Sequence, residues 1–277
     1  MPIIDTHCHL DNIQYQDDLE EVIQRALETG VESFLIPGAD PKDLPRAVSI
    51  SEKYPEVFFA VGVHPYDCEN FDLKKLKEYV NHPKCIAVGE CGLDYFRLPE
   101  EEQKINSPEG EFSEVNVERQ SIKQHQKDIF ITQINFAKEV KKPLIVHIRD
   151  ASNDSKTILI DNNAKQVGGV LHCFNASEHL LELSEHNFYF GIGGVVTFKN
   201  AKKLVEILPK IPLDKLIIET DGPYLTPHPF RGTRNEPKYT NDIAQKMGDI
   251  LSKDKAEIVE LTTKNAKKLF KEFNTII

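Results

Sequence analysis

The sequence predicts an α/β protein folded as a (β/α)8 barrel. Eight short runs rich in β-branched or apolar residues alternate with helical patterns, and polar residues suited to binding metal recur where those runs end. Several runs are nearly continuous in Ile, Val, Leu or Phe, as parallel strands buried on both faces require. Alternation also suits a doubly wound sheet and does not by itself separate the two architectures.

The predicted strands are residues 2–5, 33–36, 57–63, 86–90, 143–147, 168–172, 188–191 and 216–220. Residues 17–29 follow the first strand as a helix, with Leu19, Val22, Ile23, Ala26 and Leu27 on one face, acids in the first turn and Gly30 as a stop. Comparable helices fall at 73–80, 129–140, 201–208, 240–251 and 255–271. No internal repeat or Ser/Gly linker divides the 277 residues, so one domain over 1–277 is expected. The compositional break is an acidic insertion after the fourth strand, about 97–123. Residues 97–119 set seven acids against three bases, a net charge of −4, with no apolar stripe. A solvated surface insertion is expected there, with a lid or partner-binding loop as the alternative.

The formal net charge of −10 argues against tight nonspecific binding of nucleic acid. The sign reverses in two segments near the proposed mouth. Residues 193–203 carry Lys199, Lys202 and Lys203 with no acid, and residues 222–238 carry Arg231, Arg234 and Lys238 against Glu236. No run of about 18 apolar residues is present, and Asp5, His7 and His9 stand where a signal peptide needs an apolar stretch. A cytoplasmic protein with no membrane partner is expected. Cys8, Cys68, Cys85, Cys91 and Cys173 are odd in number and form no C-x-x-C pair, which argues against disulfides and a zinc knuckle.

The chemistry lies at the strand ends. His7 and His9 are two apart, so in an extended segment both imidazoles point to one side. Glu90 ends the fourth predicted strand, His147 the fifth and His172 the sixth, and Asp221 follows the eighth. In a barrel these six converge on one mouth, where barrel enzymes place their catalytic groups. Six ligands exceed one tetrahedral zinc but suit two divalent ions about 3.5 to 4 Å apart with a bridging carboxylate, for which Glu90 is the candidate. Imidazole with carboxylate suits Zn, Mn or Mg without choosing among them. Asp221 is placed to hold a metal-activated water and accept its proton.

At these residues the sequence resembles a known family. Asp5-Thr6-His7-Cys8-His9-Leu10, Gly62-Val63-His64-Pro65, Gly89-Glu90-Cys91-Gly92-Leu93-Asp94-Tyr95, His147-Ile148-Arg149-Asp150-Ala151, His172-Cys173-Phe174 and Glu219-Thr220-Asp221-Gly222-Pro223-Tyr224-Leu225 are similar, in order, to the motifs of TatD metal-dependent deoxyribonucleases. The resemblance runs from Pro2 to about Lys271 and implies a distorted, amidohydrolase-like TIM barrel that trims DNA, typically from the 3' end. By motif, one metal would use His7, His9, Glu90 and Asp221, and the other Glu90, His147 and His172. Two departures stand out: the stretch after Tyr95 is about twenty residues longer than the family pattern, and Gly222 replaces a frequent alanine.

His64 follows the third strand and is a candidate contact for substrate phosphate or the metal-bound water, against a structural role. Arg149, two residues past His147, is a candidate phosphate ligand, the alternative being a salt bridge to Asp150 or Asp94. Arg231 and Arg234 are weaker substrate candidates, with a surface role as the alternative, and Tyr95 and Phe174 are candidates for stacking on a terminal base, against a place in the core. The expected partner is a DNA end, with RNA as an alternative substrate, acted on by a monomer. A binuclear hydrolase of small amides or lactones is the competing reading, which Glu90 in place of a lysine after strand four disfavours. A binding module acting through the 97–123 loop is the non-enzymatic one.

Overall fold

The computed structural model describes residues 2–99 and 114–275. Eight parallel strands form one sheet in sequence order: β1 (Ile3–Asp5), β2 (Val31–Ile36), β3 (Val57–Val61), β4 (Cys85–Asp94), β5 (Leu144–Arg149), β6 (Gly169–Leu171), β7 (Phe188–Ile192) and β8 (Leu216–Ile218). The expected (β/α)8 TIM barrel is observed, and its distortion sits at two places. One is the connection after β6, where 3-10 turns over Glu178–His186 replace an α-helix. The other is the seam between β8 and β1, where no strand ladder forms. There the chain closes by Thr6 N–H to the Ile218 carbonyl (3.2 Å), Asp221 N–H to the His7 carbonyl (2.9 Å) and His9 N–H to the Gly222 carbonyl (2.8 Å). The Asp5 carboxylate reinforces the seam, accepting the Thr220 amide at 2.9 Å and the Thr220 hydroxyl at 2.5 Å.

Side-chain alternation along the strands divides the core in two. Inward residues, among them Ile4, Leu35, Phe58, Ile86, Ile145, Val170 and Ile217, fill the barrel with Phe270 and Phe273, which stopper its N-terminal end. Outward residues such as Phe34, Phe59, Val88, Val146 and Phe190 pack against the helices.

The helices are α1 (Leu19–Glu28), α2 (Leu44–Lys53), α3 (Leu73–Tyr79), α4 (Glu114–Val140), α5 (Ser152–Asp161), α6 (Lys202–Ile207), α7 (Thr240–Leu251) and α8 (Lys255–Leu269). Helices α2 and α5 were not expected. Pro45 sits in the first turn of α2, where its missing N–H costs nothing, and α5 opens on Ser, Asn and Asp, which read as a loop. The insertion is also shorter as a loop than expected, because residues 114–123 are the opening turns of the 27-residue α4. Glu100, Glu101, Glu102, Glu109 and Glu111 of the insertion lie outside the described residues.

Helix α4 braces the mouth. Gln133 accepts the Val63 N–H (2.8 Å) and donates to the Val63 carbonyl (3.0 Å), while Gln126, two turns earlier, does the same for Asp94 at 3.0 and 3.1 Å. Both amides are buried, and each fixes a strand end that carries chemistry. Strand β4 also contains a bulge. Val88 pairs with Leu144 but Cys91 with Val146, so β4 spends one extra residue across Gly89 and Glu90. A Cβ on Gly89 would lie 2.6 Å from the Ile145 Cβ, so the bulge requires glycine there. Among the described residues no helix is long and apolar enough to cross a membrane.

Candidate metal centre

The mouth of the barrel gathers every residue expected as a metal ligand. His7 and His9 face each other with Nε2 atoms 3.3 Å apart. Asp221 Oδ1 lies 3.7 Å from His7 Nε2 and 3.6 Å from His9 Nε2, and Glu90 Oε2 lies 3.3 and 3.8 Å from the same two nitrogens. The other Glu90 oxygen, Oε1, turns to a second set: His147 Nδ1 at 2.9 Å, His172 Nε2 at 3.4 Å and His64 Nε2 at 3.6 Å. Glu90 is thus shared, one oxygen to each group.

Five of the six edges within His7, His9, Glu90 and Asp221 measure 3.3 to 3.8 Å. Four ligand atoms about 2.1 Å from a common tetrahedral centre stand about 3.4 Å apart, so the spacing is that of a coordination shell. The electrostatics point the same way. Burial disfavours the charge on Glu90, but His172, His7 and His64 outweigh it and hold the carboxyl well below the usual range. Asp221 is likewise lowered, its burial outweighed by His9 and His172. Burial would neutralise His172, yet Glu90 and Glu219 hold it protonated up to about 10. His9 is raised against burial by Asp221 and Glu90, and His147 by Asp94 and Glu90. His7 and His64 are held neutral by burial, His64 down to about 3. Carboxylates held ionised among clustered imidazoles form a set of donors that divalent cations can satisfy in place of protons. The donor set therefore fits divalent metal.

The backs of the second-set imidazoles are held by carboxylates that sequence reasoning did not assign. His147 Nε2 meets Asp94 Oδ2 at 2.9 Å, and His172 Nδ1 meets Glu219 Oε1 at 3.2 Å. A carboxylate accepts only, so each fixes the tautomer of its histidine and aims the opposite nitrogen at Glu90. Glu219 also accepts the Cys173 N–H at 2.5 Å. A signal was present. Asp5-x-His7-x-His9 and Glu219-x-Asp221 share the spacing of two that singled out the histidine pair. On the first set, Asp5 accepts the His7 amide at 3.3 Å, and burial pushes its carboxyl up to about 8.

The substrate candidates separate. His64 accepts the Tyr66 N–H on Nδ1 (3.1 Å) and so turns Nε2 into the cluster. Arg149 makes neither expected salt bridge. It is exposed and lies over the Phe96 ring, 3.6 Å from its centroid. Arg231 donates to the Thr226 carbonyl (3.1 Å) and lies over Phe198. Arg234 is drawn away from the substrate role expected of it: its guanidinium grips Asp18 at 2.6 and 2.8 Å, Glu236 at 3.3 Å and the Gln14 carbonyl at 2.6 Å. Tyr95 and Phe174 are not available for stacking either. Both are buried, Tyr95 donating to Asp154 at 2.8 Å and Phe174 packing on Phe190. All five cysteines are free, four of them buried.

The profile of the family described as TatD related DNase matches residues 4–271. The chain belongs to the TatD family. It is 43% identical over 273 residues to the uncharacterized metal-dependent hydrolase YabD of Bacillus subtilis, covering 97% of this chain and 99% of YabD. It is 31% identical over 280 residues to the protein named 3'-5' ssDNA/RNA exonuclease TatD of Escherichia fergusonii, covering 97% and 98%. The solved structure of the TatD homologue YJJV from Escherichia coli matches with a TM-score of 0.84 at 26% identity, over 97% of this chain and 98% of that one. An uncharacterized amidohydrolase from Saccharomyces cerevisiae has the same fold, with a TM-score of 0.77 at 17% identity. This TatD family member is a metal-dependent hydrolase.

Proposed function

We propose that the protein is a two-metal phosphodiesterase that trims single-stranded ends of DNA, and of RNA, from the 3' side. His7, His9, Glu90 and Asp221 would hold one divalent ion and Glu90, His147 and His172 the other, with zinc, manganese or magnesium as the candidates. The observation that carries the reading is the division of Glu90, with Oε2 facing His7 and His9 while Oε1 faces His147 and His172. A bridging carboxylate of this kind belongs to sites that clamp the attacking and leaving oxygens of an in-line displacement. The name of the Escherichia fergusonii relative supports the polarity and the substrate.

Divalent ions bound there would supply Lewis-acid activation of the attacking water and would neutralise the charge that builds on the phosphate. The protein does the rest. Asp221, held ionised, directs Oδ1 at the two imidazoles and keeps Oδ2 to orient the attacking water and take its proton. His64, neutral and aimed into the cluster, donates from Nε2 to a phosphate oxygen. Asp94 and Glu219 hold His147 and His172 in the orientation this needs. Arg231 is a further contact for the strand, and the enzyme acts as a cytoplasmic monomer. The lysine that bridges metals in many binuclear amidohydrolases has no counterpart in β4, within which Glu90 stands.

Metal-loaded protein given a 5'-labelled single strand should produce a ladder shortening one nucleotide at a time. A strand left intact with magnesium, manganese and zinc alike would reject the reading.

A further inference from the structure

Large apolar side chains that remain open to solvent are scarce among the described residues, and two of them flank the ligand cluster. Phe96 is 57% exposed and Tyr224 49%. Phe96 stands on the side of the second ligand set: its N–H donates to Asp94 Oδ1 at 2.9 Å, and Asp94 Oδ2 holds His147. Tyr224 stands on the side of the first. Its N–H donates to the Asp221 carbonyl at 2.8 Å, and its ring centroid lies 6.0 Å from that of His9.

A single exposed aromatic needs no explanation. The arrangement of these two does, because both rings are held in place. Asn12 Nδ2 donates to the Tyr224 hydroxyl at 3.1 Å and fixes that ring from the side. The Arg149 guanidinium covers one face of Phe96 at 3.6 Å, and no carboxylate among the described residues lies within ion-pair distance of it. A planar cation stacked on an exposed ring beside a phosphate site is the chemistry of a platform for unpaired bases, which every nucleobase satisfies through its π-face.

We infer that Phe96, backed by Arg149, and Tyr224 form a two-base clamp, each ring stacking on one of the two nucleosides joined by the phosphodiester held at Glu90. This rests on the phosphodiesterase reading and deepens it. The two bases are separated onto rings that stand beside different ligand sets, so the substrate is single-stranded, and a paired end must fray before it is cut. Stacking ignores base identity, so the enzyme is tolerant of sequence. Arg149 then serves as the cap of the stack and as a charge near the backbone, in place of the salt bridge that its position in the sequence also allowed.

The test uses the metal-loaded enzyme, its Phe96→Ala, Phe96→Trp and Tyr224→Ala variants, and 5'-labelled oligonucleotides that are intact or lack the base at the last or the penultimate position. Metal content of each variant is measured alongside. Each alanine variant should lose about tenfold in kcat/KM on the intact strand and lose nothing more on the strand that lacks the base it stacks on. Phe96→Trp should restore turnover. A 2-aminopurine at the same position should be quenched on binding to the parent enzyme and not to the alanine variant. Variants that match the parent on intact strands, or losses that multiply with base removal, would overturn the clamp while leaving the nuclease standing. A parent enzyme that leaves every oligonucleotide intact would overturn both.

Discussion

Glu219 accepts the Nδ1 proton of His172 at 3.2 Å, and its second oxygen, buried, finds no hydrogen-bond partner among the described residues. The carboxylate therefore spends its charge on one imidazole and one backbone N–H, which directs His172 Nε2 toward Glu90. Glu219→Gln keeps the shape and removes the charge. The second metal should then bind about 10- to 100-fold more weakly, read by chelator competition, while the fold persists. Unchanged affinity would show that Glu219 does not orient the ligand.

Gly191 on β7 makes room for that carboxylate. A Cβ there would lie 2.2 Å from Glu219 Oε2, closer than real atoms approach. Gly191→Ala should cost about 1–3 kcal/mol by thermal denaturation, as overpacked cores do, and should weaken the same metal as Glu219→Gln. The two changes combined should not add, because they act on one carboxylate.

Gln133 carries both polar groups of the Val63 backbone, immediately before His64. Gln133→Leu strips the buried N–H and carbonyl of their partners at about 1–3 kcal/mol each. Denaturant titration should show the loss, and kcat should fall more than metal affinity, since the strand end that moves carries His64 and not one of the six proposed metal ligands.

Glu236 joins Arg25, through bonds of 3.0 Å to each carboxylate oxygen, to Arg234 and Lys238. Burial raises its carboxyl, but Arg25 and Lys238 outweigh that and hold it below the ordinary 4.5. The stabilisation is complete above 4.5 and disappears as pH falls through the lower folded value. Glu236→Gln should be less stable than the parent by about 1–2 kcal/mol at pH 7, with the gap closing below pH 4.5. A gap that widens in acid would contradict the assignment.

The strands were legible because parallel strands buried on both faces must be apolar almost throughout, and all eight appear, with β4 running four residues past its expected end to Asp94. Helix α2 hid behind Pro45, and α5 behind a polar start whose helicity comes from packing of Ile158 and Leu159. The six proposed ligands were visible because each ends or follows one of the apolar runs in the sequence, although β4 and β5 continue past Glu90 and His147 to Asp94 and Arg149. The carboxylates behind them were not. Asp94 and Glu219 act on histidines 53 and 47 residues away, a relationship that no local pattern encodes. Arg234 failed for the same reason, since its partner Asp18 lies 216 residues away across the seam side of the barrel. Phe96 was hidden beside Tyr95: adjacent aromatics on a strand end face opposite ways, and the sequence does not say which one meets solvent.

The central claim is that Glu90 holds two metals at once. Metal analysis of the native protein and of Glu90→Ala, paired with digestion of 3'- and 5'-labelled single strands, tests it directly. Two metal equivalents and 3'-directed trimming in the native protein, with both lost together in Glu90→Ala, is the predicted result. A variant that keeps two metals, or that still trims at the native rate, would contradict it.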